Sequence, residues 1–477
     1  MQNLTSHSPL LADLSQICMA YSLWKQDMQD YQAAFHIYYR KALFKGGFAV
    51  FSGLDQVLDI LNNFKFTEED VDFLRSLNNL DDSPNFEDEF LDYLLQLKAD
   101  VEVSSVDEGE IIFPNLPIVR VTGNIIVAQL LEASLLNAVN YNSLVATKAA
   151  RITLAAKSSP VWEYGLRRAQ GSEAALRATR GAWIGGCAGT TNVLAAKIFG
   201  IPLTNTMSHS WVLAHDSESE SFKNYIESSP QQQILVVDTF DIEEGVQKLI
   251  EVLNKMELED EKLPYAIRLD SGDLVENSKI VRKMLNKAGY RNIKIAASGD
   301  LDEYSVDDLK NRGARIDIYC IGTRLVTAFD EPALNGIYKL SAVRKNSDED
   351  WRYKIKKTND FTKITNPGVQ QVKRYSINGI LQCDVVYEEG TEPSDMAVNL
   401  KTGLTDYPDG DGEDLLKLKF SKGDQICEKP DIHISRQKCL DGLQKMPRGM
   451  KAILFPEPHR VCLDDNLNRI KNELLRP

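Results

Sequence analysis

The spacing of apolar side chains divides this chain into three stretches with different rhythms. In the first, ADLSQICMAYSLWK at residues 12–25 sets Leu14, Ile17, Cys18, Tyr21 and Trp24 at helical spacing and predicts an amphipathic opening helix. AAFHIYYR at 33–40 and GFAVFSG at 47–53 are aromatic and β-branched runs joined by a segment containing Gly46-Gly47, which predicts a hairpin with a loop of several residues. From about 54 to 98 the pattern turns helical and acidic, broken by NNLDDSPNF at 78–86.

The second stretch, between 120 and 343, alternates short apolar runs with longer helical ones, the rhythm of βα units. Each apolar run stops at a polar signature: IPLTNT before MSHS, ILVV before DTFD, YAIRL before DSGD, IKIAA before SGD and IDIYCI before GTR. Their reference points, Thr206, Asp238, Arg268, Ala297 and Ile321, lie 32, 30, 29 and 24 residues apart. Polar residues recurring where buried strands stop are the sequence image of the loop face of a (β/α) barrel, the face that carries the chemistry in such folds. An open doubly wound sheet competes. At least six such units and no GxGxxG after the first strand favour the barrel.

After residue 345 the rhythm stops. DEDWRYKIKK, QQVKRYSING and ILQCDVVYEEG predict antiparallel strands with polar turns, and the last ~45 residues predict two helices, the second being DDNLNRIKNELL. The expected organisation is therefore 1–120, 121–345 and 346–477, with the C-terminal segment packing on the N-terminal one.

Composition changes this picture little. At 477 residues, 43% hydrophobic and 26% charged, the chain has the material for more than one core. A net charge of −14 argues against nucleic acid as a partner, while leaving room for a local arginine pocket around a small phosphorylated ligand. Seven cysteines without a CxxC pair suggest neither a disulfide framework nor a zinc site. No leader pattern and no apolar run of ~18 residues occur, so the expectation is a cytoplasmic protein with no membrane partner.

Three turns follow consecutive predicted strands: LDSGD at 269–273, ASGD at 297–300 and IGT at 321–323. Glycine lets backbone N–H groups approach an anion, so these turns are candidates for a phosphate site; helix capping is the bland alternative for each taken singly. Arg167 and Arg168 sit at a strand end, where a guanidinium can bind a carboxylate or phosphate through two hydrogen bonds. Arg177 and Arg180 are expected on an exposed helix face. Asp238, Asp270 and Asp273 could orient sugar hydroxyls or hold Mg²⁺ through a substrate pyrophosphate, with capping as the alternative for the last two. His209, one of six histidines, stands among Thr206, Ser208 and Ser210. Packing residue, base and nucleophile all stay open for it, whereas zinc lacks further ligands beyond His215.

Five segments together, MAYSLW, GLRRAQG, GCAGTTNVLAAKIFGIPLTNTMSHSWV, IRLDSGDL and YCIGTRLVT, resemble the nicotinate phosphoribosyltransferase family over about residues 10–345. The resemblance implies an irregular (β/α) barrel of the type II phosphoribosyltransferases plus an α+β domain formed from the two ends of the chain. It further implies the joining of nicotinate to phosphoribosyl pyrophosphate, giving nicotinate mononucleotide and pyrophosphate in NAD biosynthesis. ATP hydrolysis would be coupled to this step, with Mg²⁺ present, in a homodimer with shared active sites. The family's TM-[AS]-H histidine, phosphorylated by ATP, corresponds to His209. By the same matching Tyr21 and Thr206 would contact nicotinate, Arg268 would meet its carboxylate, and Tyr164 with Arg167 would line the ring site. Ser298, Gly299, Gly322 and Thr323 would hold the 5′-phosphate, with Asp238 and Asp270 serving the ribose or Mg²⁺. Thr191 in GTTN falls where the related nicotinamide enzyme has an aspartate, and a neutral side chain there favours an acid over an amide. Nicotinamide or quinolinate transfer on the same fold, and a silent regulator binding a phosphoribosyl ligand, are the alternatives.

Overall fold

The computed structural model describes residues 8–229, 233–360 and 363–476. Two compact units emerge, one from residues 1–144 and 333–477, the other from 145–332.

The first unit contains a seven-stranded sheet in the spatial order Arg352–Tyr353, Gly336–Arg344, Gln32–Tyr39, Val119–Asn124, Val101–Ser105, Lys417–Ser421, Asp424–Gln425, with all neighbours antiparallel. Both chain ends thus contribute strands to one sheet. The predicted opening helix is Leu14–Lys25, and the acidic stretch forms helices Leu54–Asn62, Glu68–Arg75 and Asp88–Gln96.

The hairpin expected between 33–40 and 47–53 does not form. Gln32–Tyr39 pairs instead with Val119–Asn124 and Gly336–Arg344, while Ala49–Val50 pairs with Ile111–Ile112. The reason is burial: Ala33, Ala34, Phe35, Ile37 and Tyr39 are all buried, so this strand needs neighbours on both edges and cover on both faces. The connecting Leu43 and Phe44 are themselves core residues, unlike a solvated hairpin turn. By contrast, Gln370–Ile377 and Ile380–Glu388 do form the hairpin predicted for the third stretch. Asn378 and Gly379 close it at φ +51° and +75°, the left-handed pair that a tight two-residue turn requires. Helices Ile432–Lys445 and Asp465–Leu475 are the two expected near the C-terminus.

The second unit is built on six parallel strands in the spatial order Gly189–Thr190, Val161–Glu163, Ile318–Ile321, Lys294–Ala297, Ala266–Leu269, Ile234–Val236. Segment 202–207 joins the two edges. Thr190 N–H donates to Pro202 O at 3.0 Å, Thr204 N–H to Thr190 O at 3.0 Å, and Met207 N–H to Ile234 O at 2.9 Å. The curled sheet is thereby tied into a ring, which separates it from an open doubly wound sheet. IPLTNT is not the buried strand its apolar start suggested: Leu203 makes one isolated bridge to Thr190 and is exposed. Pro202, lacking an N–H, cannot donate to a full ladder.

Two-residue periodicity sorts the strand side chains. Ile234, Ala266, Ala296, Ile318 and Cys320 pack together with Trp162, Tyr164 and Tyr265, while Leu235, Ile267, Leu269 and Ile295 pack with Val246, Leu249, Val281 and Leu285 of the helices. Arg268 alternates with Ile267 and Leu269, so it shares the face of Ala266.

Candidate active site

The polar ends of the parallel strands converge through hydrogen bonds. Arg268, 7% exposed, donates from Nη1 to Ser298 Oγ at 3.0 Å and lies 3.1 Å from Asp270 Oδ2. Its Nε is buried without a partner. Asp270 also accepts from Ser298 Oγ, and its Oδ2 lies 3.8 Å from His209 Nε2. Burial would raise the Asp270 carboxyl, but Arg268, the Ser298 hydrogen bond and His209 together hold it below the usual carboxylate range. Asp238 braces this loop from the neighbouring strand end, its Oδ2 accepting from Asp270 N–H at 2.7 Å and Ser271 Oγ at 2.9 Å. Its Oδ1 is buried and has no partner.

His209 opens the short helix His209–Leu213, half-exposed, with Nδ1 3.1 Å from Thr239 Oγ1. Both ring nitrogens thus face groups on neighbouring strand ends, so a packing role does not describe it. The hydroxyls around it have other partners: Ser208 and Ser210 contact each other at 2.7 Å, and Thr206 donates to Met207 O at 3.1 Å.

On the other side of the ring, Tyr164 donates its hydroxyl to Asn205 O at 3.3 Å, and burial pushes its phenol far up. Arg167 and Arg168 are exposed on the 3-10 turn Leu166–Arg168. Thr191 follows the buried Thr190 and gives its N–H to Glu163 O at 3.1 Å. Ser298 and Gly299 follow one strand, Gly322 and Thr323 the next. Gly299 has φ +102°, and a Cβ there would stand 2.8 Å from Asp270 O, so the turn presses backbone on backbone. A Cβ on Gly322 would stand 3.2 Å from Tyr164 O.

Two expectations need revision. Asp273 is occupied as a helix cap, accepting from Val275 N–H at 2.9 Å and Glu276 N–H at 3.3 Å, so the capping alternative describes it better than a metal role. Arg180 does not lie on an exposed helix face but is 1% exposed, because helix Ser172–Ile184 turns that side toward the core. Tyr21 sits in an aromatic cluster of the first unit, its ring centroid 5.1 Å from Phe90, 5.5 Å from Phe86 and 6.2 Å from Trp24. Two functional-looking residues escaped the sequence reading, Thr239 and Glu163. Thr239 stands in the DTFD signature beside Asp238 and Glu163 in no turn signature at all, and pairing partners mark each out.

No group of three or more His, Cys, Asp or Glu side chains able to hold a metal occurs among the described residues. Asp238 Oδ1 is a buried carboxylate oxygen of this array without a hydrogen-bond partner, a hard oxygen donor of the kind that suits Mg²⁺.

These features define a barrel whose strand ends combine a buried guanidinium, two carboxylates, an imidazole and glycine turns, a class of site suited to an anionic ligand with phosphates. Family models for the N-terminal domain, the family core and the C-terminal domain of nicotinate phosphoribosyltransferase match residues 10–140, 160–373 and 396–471. Nicotinate phosphoribosyltransferase of Bacillus subtilis is 37% identical over 468 residues, 96% of this chain and 93% of the relative; that of Dictyostelium discoideum is 33% identical over 96% and 87%. The crystal structure of human nicotinic acid phosphoribosyltransferase superimposes with TM-score 0.78 at 25% identity, covering 97% of this chain and 99% of that one. The nicotinate-nucleotide pyrophosphorylase of Pyrococcus furiosus shares the fold with TM-score 0.69 at 21% identity, covering 93% and 97%. The chain belongs to the nicotinate phosphoribosyltransferase family.

Proposed function

We propose that this enzyme joins nicotinate to phosphoribosyl pyrophosphate, forming nicotinate mononucleotide and pyrophosphate for NAD biosynthesis, with coupled ATP hydrolysis. The observation that carries the reading is Arg268: a buried guanidinium with an unpartnered Nε, compensated by Asp270 and adjoining the Ser298-Gly299 turn. A desolvated cation at the end of a barrel strand suits an aromatic carboxylate. Tyr164, Arg167 and Thr206 line the ring side, and the neutral Thr191 leaves an acid unrepelled. Ser298, Gly299, Gly322 and Thr323 hold the 5′-phosphate, while Asp238 positions the Asp270 loop and turns its free oxygen to the ribose or to hydrated Mg²⁺. That ion would neutralise the pyrophosphate leaving group.

His209 is the phosphoryl acceptor. The Asp270 carboxylate 3.8 Å from Nε2 favours the tautomer with the proton on that nitrogen, which leaves the Nδ1 lone pair for attack once Thr239 rotates away. The N–P bond forms as the γ-phosphate parts from ADP. The charge gained beside Asp270 then biases the loops around the site.

A homodimer with shared sites is part of the proposal. Helix Val193–Phe199 exposes Val193, Leu194 and Ile198 beside the exposed Leu203, an apolar face suited to a second copy, and Tyr21 would complete the partner's ring site. All seven cysteines are free, which supports a reducing compartment and hence the cytoplasm; no described helix is long and apolar enough to cross a membrane.

The test is product formation from nicotinate, nicotinamide and quinolinate, each with phosphoribosyl pyrophosphate and Mg²⁺, with and without ATP. Nicotinate mononucleotide formed fastest with ATP supports the reading. A preference for either other pyridine, or no turnover at all, refutes it.

A further inference from the structure

Glu163 is a buried carboxylate that the site above leaves unused. It ends the strand Val161–Glu163 and is 1% exposed. Burial pushes its carboxyl up, against the pull of hydrogen bonds from Thr190, Gly165 and Thr179. All of these are neutral donors. Oε1 accepts from Gly165 N–H, and Oε2 accepts from Thr190 Oγ1 at 2.6 Å and Thr179 Oγ1 at 3.0 Å.

The donor roles follow from the neighbours. A backbone N–H can only donate. Thr190 Oγ1 already accepts Asn192 N–H at 2.9 Å, which directs its own proton to Glu163. Thr179 Oγ1 accepts Asn192 Nδ2 at 3.3 Å and shares its proton between Glu163 and Ala175 O. An ionised carboxylate, acceptor at both oxygens, matches this set; a carboxamide does not.

One side chain therefore joins three segments: the turn carrying Tyr164 and Arg167, the helix Ser172–Ile184, and the loop Thr190–Asn192. Its backbone carbonyl also holds the Thr191 N–H at 3.1 Å. Filling this space alone would need only an apolar side chain, since burying a carboxylate opposes folding unless its hydrogen bonds compensate. Two of these segments, the turn carrying Tyr164 and Arg167 and the loop carrying Thr191, are those assigned above to the ring side of the site.

We propose that Glu163 is a positioning residue for the pyridine subsite, holding Tyr164, Arg167 and Thr191 in register for an aromatic carboxylate through its bonds to Gly165 and Thr190. This rests on the reading that the site takes nicotinate.

Steady-state kinetics of Glu163→Gln, Thr190→Val and Thr190→Ser test it. Glu163→Gln and Thr190→Val each break the link between strand end and loop, so the KM for nicotinate should rise about tenfold or more while that for phosphoribosyl pyrophosphate stays within about twofold. Thr190→Ser, which keeps the hydroxyl, should restore the wild-type value. The double variant should lose less than the two single losses combined, because both act on the Glu163–Thr190 bond. Nicotinate KM unchanged in Thr190→Val, or both substrates affected equally, overturns the proposal; if Glu163→Gln does not fold, the Thr190 pair decides alone. A wild-type chain that turns over no nicotinate overturns the functional reading and this proposal with it, whereas an active wild type with unmoved variants overturns the proposal only.

Discussion

Replacing Arg268 by alanine removes the buried cation on which the carboxylate-binding argument depends. Its Nη1 lies 3.0 Å from Ser298 Oγ and 3.1 Å from Asp270 Oδ2, so the substitution deletes a hydrogen bond and an ion pair. Losing one partner of a desolvated, hydrogen-bonded charge pair costs about 2–5 kcal/mol, and kcat/KM for nicotinate should fall roughly 30-fold to several thousand-fold at about 1.4 kcal/mol per decade. Two further readouts follow from the same geometry. Nicotinamide, lacking the carboxylate charge, should lose far less, so the ratio of the two kcat/KM values narrows. Asp270, whose carboxyl burial alone would raise, loses its main compensating charge, so the acid limb of the pH–rate profile should move to higher pH. Arg268→Lys keeps the charge but not the planar fork and should fall between wild type and alanine. Steady-state assays across pH with both pyridines measure all of this. Nicotinate kcat/KM within about threefold of wild type in a folded Arg268→Ala protein would refute the reasoning.

For His209→Asn, γ-labelled ATP should no longer label the peptide containing TMSHSWV and ATP hydrolysis should stop, while slow ATP-independent transfer persists because the phosphate turns and Arg268 remain; acid-stable label on serine in the wild type would contradict this. Glu388 is held by burial at a carboxyl pKa of about 7, above its unfolded value, so its contribution to stability is complete below the ordinary range of ~4.3 and is lost as pH rises through about 7. Glu388→Gln should therefore match the wild-type melting temperature at about pH 4 and below and exceed it at pH 8, and a difference independent of pH would count against the assignment. Mixing inactive Tyr21→Ala and inactive His209→Ala chains should restore partial activity after subunit exchange, and Ile198→Asp should shift the protein toward monomer in light scattering. No recovery in verified heterodimers would place the ring site within one chain.

The barrel was legible because its strand signals are local. ILVV, YAIRL, IKIAA and IDIYCI each carry the apolar run and the polar stop within a few residues, and all became parallel strands. The NG turn at 378–379 was equally self-contained, since a left-handed pair needs only an Asn-Gly dipeptide between two apolar runs. Arg268 could be assigned to the interior by counting in twos from Ala266. Glu163 and Thr239 could not, because what marks them is the company of residues 16 to 30 positions away: Thr179 and Thr190 for one, His209 for the other.

Where the chain alternates, turns and caps, its amino acids carried the answer, because those choices are made within a helical turn or a strand pair. Which strands become neighbours is a different matter. The run at 33–40 looks like half of a hairpin with 47–53, yet its buried faces and two edges are satisfied by Val119–Asn124 and by Gly336–Arg344, some three hundred residues on. The same holds for Lys417–Ser421 beside Val101–Ser105 and for segment 202–207, whose hydrogen bonds to Thr190 and Ile234 tie the sheet into a ring although its sequence makes a poor strand. Burial of apolar surface and satisfaction of backbone N–H and C=O groups are settled over the whole folded unit, so partners far apart in sequence decide them. Buried Arg180 and the carboxylate of Glu163 took their roles from that packing.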